Sequence, residues 1–129
     1  MLLTSAATCL ALNLYFEARS QDILSQIAVA QVTINRVVSP KFPPTICEVV
    51  TQKGQFSWFS DGKSDRPKET EAWKRALNLA QMILKNDVQV TCVGSSTFYH
   101  AEYVKPYWAK TLHKNCKVGQ HIFYQEVGS

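Results

Sequence analysis

SAATCLALNLYFEAR, residues 5–19, decides how this chain folds. Thr4 or Ser5 supplies the short side-chain oxygen that caps a helix start. Nothing from Ala6 to Ala18 breaks a helix, so the segment is predicted helical from about Ser5 to Ala18. Ala6, Leu10 and Leu14 recur at helical spacing and form an apolar stripe. Glu17 follows Leu10 at i+7 and Leu14 at i+3, which puts a carboxylate on the inward face at the C-terminal end. There it loses water and faces the negative end of the helix dipole, and both effects favour the neutral acid. A carboxyl kept neutral near neutral pH can protonate a glycosidic oxygen. The competing reading is a surface glutamate paired with Arg19 or a nearby lysine.

Outward from this segment, a second helix is predicted after Ser20, with Asp22 in its first turn. Its buried stripe would be Leu24, Ile27, Ala28, Ile34 and Val38, with Gln31 and Asn35 on the same face, and Ser39-Pro40 would end it. Thr45 and Glu48 read as a capping box for a short helix through about Val50. Gln55 to Phe59 looks extended, and Asp61-Gly62 reads as a turn. A long helix over about Lys68 to Lys85 would bury Trp73, Ala76, Leu77, Ala80, Ile83 and Leu84. Strands are predicted over about Thr97–His100, Lys110–Cys116 and His121–Gln125, with Val118-Gly119-Gln120 as a hairpin turn. The order gives an α+β domain: a helical lobe, a small antiparallel β lobe and a cleft between them. Residues 1–129 read as one domain, without repeat, linker or low-complexity tract.

Composition narrows the function classes. Apolar residues make up 46% and charged residues 19%, which excludes a disordered chain. The longest apolar run, Ala6 to Phe16, is too short to span a membrane, and no Lys or Arg precedes it as in a secretory leader. A net charge of +4 with dispersed basic residues gives no nucleic-acid footprint. Cys9, Cys47, Cys92 and Cys116 lack the close spacing of a metal or redox motif; buried thiols and any of three pairings stay open. His100, His113 and His121 supply no converging ligand set, and His100-Ala101-Glu102 lacks the Pro-Cys-x-x-Cys half of a zinc-deaminase signature. No metal and no cofactor is expected. Cys47 in the first turn of its helix, with His100 or His121 as base, is a second catalytic option. Trp58, Tyr99 and Trp108 as sugar platforms would make a non-catalytic glycan-binding module instead.

Several fragments in order resemble the cell-wall hydrolase family of the spore-cortex-lytic, SleB type. They are Tyr15-Phe16-Glu17-Ala18-Arg19, Gln26 to Ala30, Asn35-Arg36-Val37, Phe42-Pro43 with Thr45, Gln55-Phe56-Ser57-Trp58, Tyr99-His100, and Gly119-x-His121-Ile122-Phe123-Tyr124. The resemblance implies a lysozyme-like domain that cleaves peptidoglycan between N-acetylmuramic acid and N-acetylglucosamine, commonly as a lytic transglycosylase. It puts the catalytic acid on Glu17 and lines the glycan site with Gln55, Phe56, Ser57, Tyr99 and His100. The partner is the glycan strand, with no nucleic acid and no stable membrane insertion, and the chain would act as a monomer. The place of action would be the wall or periplasm, as for a phage endolysin held in the cytoplasm until a pore releases it. Two departures stand out. The family's Glu-Ala-Arg-Gly-Glu run is here Glu17-Ala18-Arg19-Ser20-Gln21, without the second acid. Gly54 and Ser60 stand where many relatives have cysteines. A hydrolysing muramidase would need a second carboxylate, for which Asp61 and Asp65 are the candidates.

Overall fold

The computed structural model describes residues 5–52 and 67–127. Helix α1 spans Ala6–Ala18, and the Ser5 hydroxyl caps it by accepting the Thr8 N–H at 3.1 Å. Helix α2 spans Ile23–Val38, with the Asp22 carboxylate accepting the Ser25 N–H at 2.8 Å. Helix α3, Ile46–Thr51, starts at Thr45, whose hydroxyl oxygen accepts the Glu48 N–H and donates its proton to the Glu48 carboxylate. Helix α4 spans Thr70–Asn86 and ends at Asp87, which takes the left-handed conformation at φ 52°. No side chain of its own caps α4; instead the Tyr15 hydroxyl accepts the Lys68 and Glu69 N–H groups.

α1 is the central rod. Cys9 to Tyr15 and Ala18 are all buried, so burial runs nearly round the helix, while Ala6 lies outside it at the exposed first turn. One apolar cluster joins Leu10, Leu14 and Tyr15 to Ile27 of α2 and to Ala76, Ala80 and Ile83 of α4. Another joins Cys9 and Leu12 to Val49 and Val50 of α3. A third sets Ala18, Ala28, Val29 and Val32 against Val93, Val118 and Phe123 of the β lobe.

That lobe is a three-stranded antiparallel sheet in the order β1-β3-β2: β1 Phe98–Ala101, β2 His113–Val118 and β3 His121–Gln125. A bulge lies between Lys114 and Cys116. Gly119 takes φ 58° in the β2–β3 turn, and a Cβ there would lie 2.2 Å from the Ser25 hydroxyl. The turn therefore needs glycine twice, for its backbone and for its seat on α2.

The expected fold class holds, and four further details differ besides the exposure of Ala6. Leu24 and Val38 are 54% and 78% exposed, because α2 turns Ser25, Ala28, Val29, Val32 and Arg36 inward instead. Leu84 is exposed, and Trp73 and Leu77 are half-buried at the margin of α4. The strand expected from Lys110 begins only at His113, since a 3-10 turn occupies Tyr107–Thr111 after Pro106, held by the Thr111 hydroxyl on the Trp108 carbonyl. All four cysteines are paired, Cys9 with Cys47 and Cys92 with Cys116, which replaces the free-thiol reading. The Gln55–Phe59 segment and the Asp61-Gly62 turn lie outside the described residues.

Candidate active site

Glu17 emerges in the last turn of α1, at the seam where the helices meet the sheet. Its position follows from the stripe: Leu10 and Leu14 point into the core, so the residue one turn further points the same way. The Tyr99 hydroxyl of β1 donates to Glu17 Oε1 at 2.7 Å. Burial raises the Glu17 carboxyl above its usual value of 4.5, against the hydrogen bond from Tyr99 and the charge of Arg36, which lower it. Glu17 is thus a largely desolvated acid, not a surface partner of Arg19. Arg19 pairs with Glu69, and its guanidinium lies 4.5 Å over the Tyr15 ring.

Tyr99 is fixed on both sides. Its ring stacks on Phe123 at 5.7 Å and meets His121 edge-on at 5.2 Å. Burial first, and then the neighbouring Glu17 carboxylate, push its phenol well above the ordinary range. The hydroxyl therefore stays protonated and donates to Glu17 whenever that group is charged.

Arg36 is the third member. It comes from α2, is buried, and donates Nε–H to the Thr97 carbonyl at 2.8 Å. Its guanidinium lies 4.8 Å over Phe42 and 5.4 Å over Phe98. Burial lowers its pKa from the ordinary arginine value, and the neighbouring Tyr99 and Glu17 oxygens oppose that shift; the group remains a cation. The same helix fastens the loop leading into β1. Gln31 and Asn35 donate to the Gly94 carbonyl, Asn35 also to Ser96, and Gln31 accepts the Val90 N–H. Gln31 and Asn35 were legible on the α2 stripe; Arg36 as a site residue was not, although it stands in the Asn-Arg-Val fragment that carries the resemblance.

Of the residues expected to line the glycan site, Tyr99 joins Glu17 and His100 does not. Neighbours on a strand alternate between faces, and His100 stacks on Tyr124 at 5.2 Å on the far side of the sheet. One ring nitrogen meets the Ala101 carbonyl and the other the Tyr124 hydroxyl. Gln55, Phe56 and Ser57, with Trp58, Asp61 and Asp65, lie outside the described residues. His121 shares the Tyr99 face, and burial lowers its pKa below 6.5, which favours the neutral ring.

The cysteine option fails, because the Cys47 sulfur is bonded to Cys9 and no thiolate exists. Trp108 packs against Phe98, His100 and Tyr124 and so serves the sheet's far face, not the Glu17 side. Among the described residues no group of three or more His, Cys, Asp or Glu could hold a metal, and no helix is long and apolar enough to cross a membrane.

The family described as Cell Wall Hydrolase matches residues 20–124, a stretch that opens just after Glu17. A spore cortex-lytic enzyme of Bacillus cereus is 31% identical over 110 residues, covering 84% of this chain and 40% of the relative. One from Halalkalibacterium halodurans is 26% identical over 109 residues, covering 84% and 31%. This chain therefore spans well under half the length of these curated relatives. Among solved structures, the catalytic domain of the germination-specific lytic transglycosylase SleB from Bacillus anthracis superposes with a TM-score of 0.75 at 28% identity. That match covers 96% of this chain and 97% of the other. The catalytic domain of the Bacillus cereus SleB protein gives 0.71 at 30% identity, covering 95% and 91%.

Proposed function

The chain belongs to the cell wall hydrolase family, and from that premise we propose that it is a lytic transglycosylase of peptidoglycan with Glu17 as its acid and base. The observation that carries the reading is the desolvated Glu17 carboxyl held at one oxygen by Tyr99. The neutral carboxyl gives its proton to the glycosidic oxygen between N-acetylmuramic acid and N-acetylglucosamine. The C1–O bond breaks through an oxocarbenium-like transition state, and the N-acetylglucosamine side leaves as an alcohol. Glu17 is now a carboxylate, and the Tyr99 hydroxyl and the Arg36 charge stabilise it at the moment the charge appears. It then takes the proton of the muramic 6-hydroxyl while that oxygen bonds to C1, closing a 1,6-anhydro ring and regenerating the acid. One carboxylate suffices because the sugar supplies the nucleophile.

Residues 1–129 act as one catalytic domain in this reading. Support comes from Phe16, Val90 and Tyr99, each packed against two of the three apolar clusters. The chain acts at the wall, and its two disulfides favour an oxidising compartment over a stage of cytoplasmic storage.

Glu17→Gln tests the reading. The amide keeps shape and hydrogen bonding but donates no acidic proton, so turnover of purified peptidoglycan should fall roughly 10²- to 10⁴-fold, the size of a general-acid contribution. A folded Glu17→Gln enzyme that still releases soluble muropeptides at the parent rate removes Glu17 from this role.

A further inference from the structure

The sheet has two faces, and the Glu17 site uses one. On the other, Phe98 and His100 of β1 lie opposite Tyr124 and Ile122 of β3. The segment after Ala101 folds back over this face, with Trp108 edge-on to His100 at 5.6 Å and to Tyr124 at 5.5 Å. It leaves a groove of about 490 Å³ floored by His100, Ile122 and Tyr124 and edged by Lys105, Tyr107 and Lys110.

Two features mark this groove as a binding surface. The first is the open ring at its edge: Tyr107 is 91% exposed. A tyrosine so open, beside an apolar floor, offers contact area with little side-chain entropy to lose. The second is one-sided charge. Lys105 and Lys110, and Lys114 in register with Tyr124 on β2, have no carboxylate partner among the described residues. The Glu102 carboxylate beside the groove is already paired with Lys117 at 2.8 Å. The face is therefore complementary to a short ligand that combines aliphatic groups with several carboxylates. The peptide stems of peptidoglycan have that chemistry. A phosphate polymer would call for the cations alone and leave the apolar floor without a partner.

We propose that this groove binds the carboxylate-bearing peptide stems of peptidoglycan and holds the enzyme on the wall from the side of the sheet opposite Glu17. The choice of ligand rests on the wall-lytic reading above; the binding itself needs no turnover.

The test is co-sedimentation of the Glu17→Gln enzyme with sacculi, which that variant does not consume. Acid treatment first strips the sacculi of phosphate polymers; an amidase removes the stems from one half of the preparation, and the glycan strands it releases are coupled to beads so that they still sediment. Lys105→Ala/Lys110→Ala should weaken binding to stem-bearing sacculi by about tenfold, in line with two partly exposed ion pairs. It should not change binding to the stem-free strands, nor the melting temperature, since both side chains are exposed. Equal binding of parent and variant to stem-bearing sacculi overturns the proposal. A loss as large on the stem-free strands, or one seen only while phosphate polymers remain, also overturns it, in favour of the glycan strand or those polymers. Failure here leaves the Glu17 test untouched. Should Glu17→Gln still digest peptidoglycan, the same comparison is made on ice before soluble muropeptides appear, so failure of Glu17 in turnover leaves the binding measurement standing.

Discussion

Burial raises the Glu17 carboxyl, and Tyr99 and Arg36 lower it; the balance sets the pH at which it holds its proton. Tyr99→Phe deletes one of the lowering influences. The alkaline limb of kcat/KM, where the acid is lost, should move to higher pH, and the pH–rate profile shows this directly. A limb that stays in place would mean Tyr99 does not tune Glu17. The raised carboxyl also bears on stability. Below 4.5 the group is neutral both folded and unfolded and contributes no pH dependence. Above 4.5 the unfolded chain releases the proton before the folded one does, so folding weakens with rising pH until the folded group has ionised as well. Glu17→Gln removes this effect. It should melt above the parent at neutral pH, with the difference vanishing on acidification, in thermal melts across the range. At this scale helical period, which is local, placed Glu17 on the inward face. Tyr99 came only with the resemblance, and Arg36 only as part of a fragment, since its meeting with Glu17 depends on how α2 packs. His100 was placed beside Tyr99 by its motif, and the strand's alternation sends it to the other face.

Elements were legible where a cap or a turn residue marks them. Ser5 and Thr45, read as caps, each accept the N–H of the residue three further on; Asp22, read as a first-turn residue, is the cap of α2 and does the same. The β2–β3 turn is the sharpest case, because Gly119 fits both the left-handed backbone and the Ser25 contact. Gly119→Ala should cost about 2–4 kcal/mol, combining backbone strain with overpacking. In a Ser25→Ala background the hydroxyl clash is gone, and the loss from Gly119→Ala should shrink to the backbone share of about 1–2 kcal/mol. Urea unfolding of the four proteins separates the two contributions, and equal losses in both backgrounds would contradict the Ser25 contact. Lys110 and Thr111, the end of the 3-10 turn at Tyr107–Thr111, were read as the start of the strand that begins at His113. The turn is set by Trp108 packing across Phe98 and Tyr124, a tertiary contact that lies outside the predicted strand.

At the scale of the whole molecule, two disulfides tie distant segments: Cys9–Cys47 joins α1 to α3, and Cys92–Cys116 joins the loop before β1 to β2. Four spaced cysteines allow three pairings, and only the tertiary packing selects one. Cys9→Ala/Cys47→Ala should lower stability by about 4 kcal/mol, the usual effect of freeing a loop of this length. The variant should still turn over substrate at a temperature where it remains folded. Inactivity of a folded double variant would revive a role for Cys47. The most direct measurement is mass spectrometry of the muropeptides that the parent enzyme releases from purified peptidoglycan. Lytic transglycosylation predicts muramic ends in the 1,6-anhydro form, lighter by one water than the reducing ends a hydrolase leaves. Products with reducing muramic ends would contradict it, because water and not the sugar's own hydroxyl would then be the nucleophile.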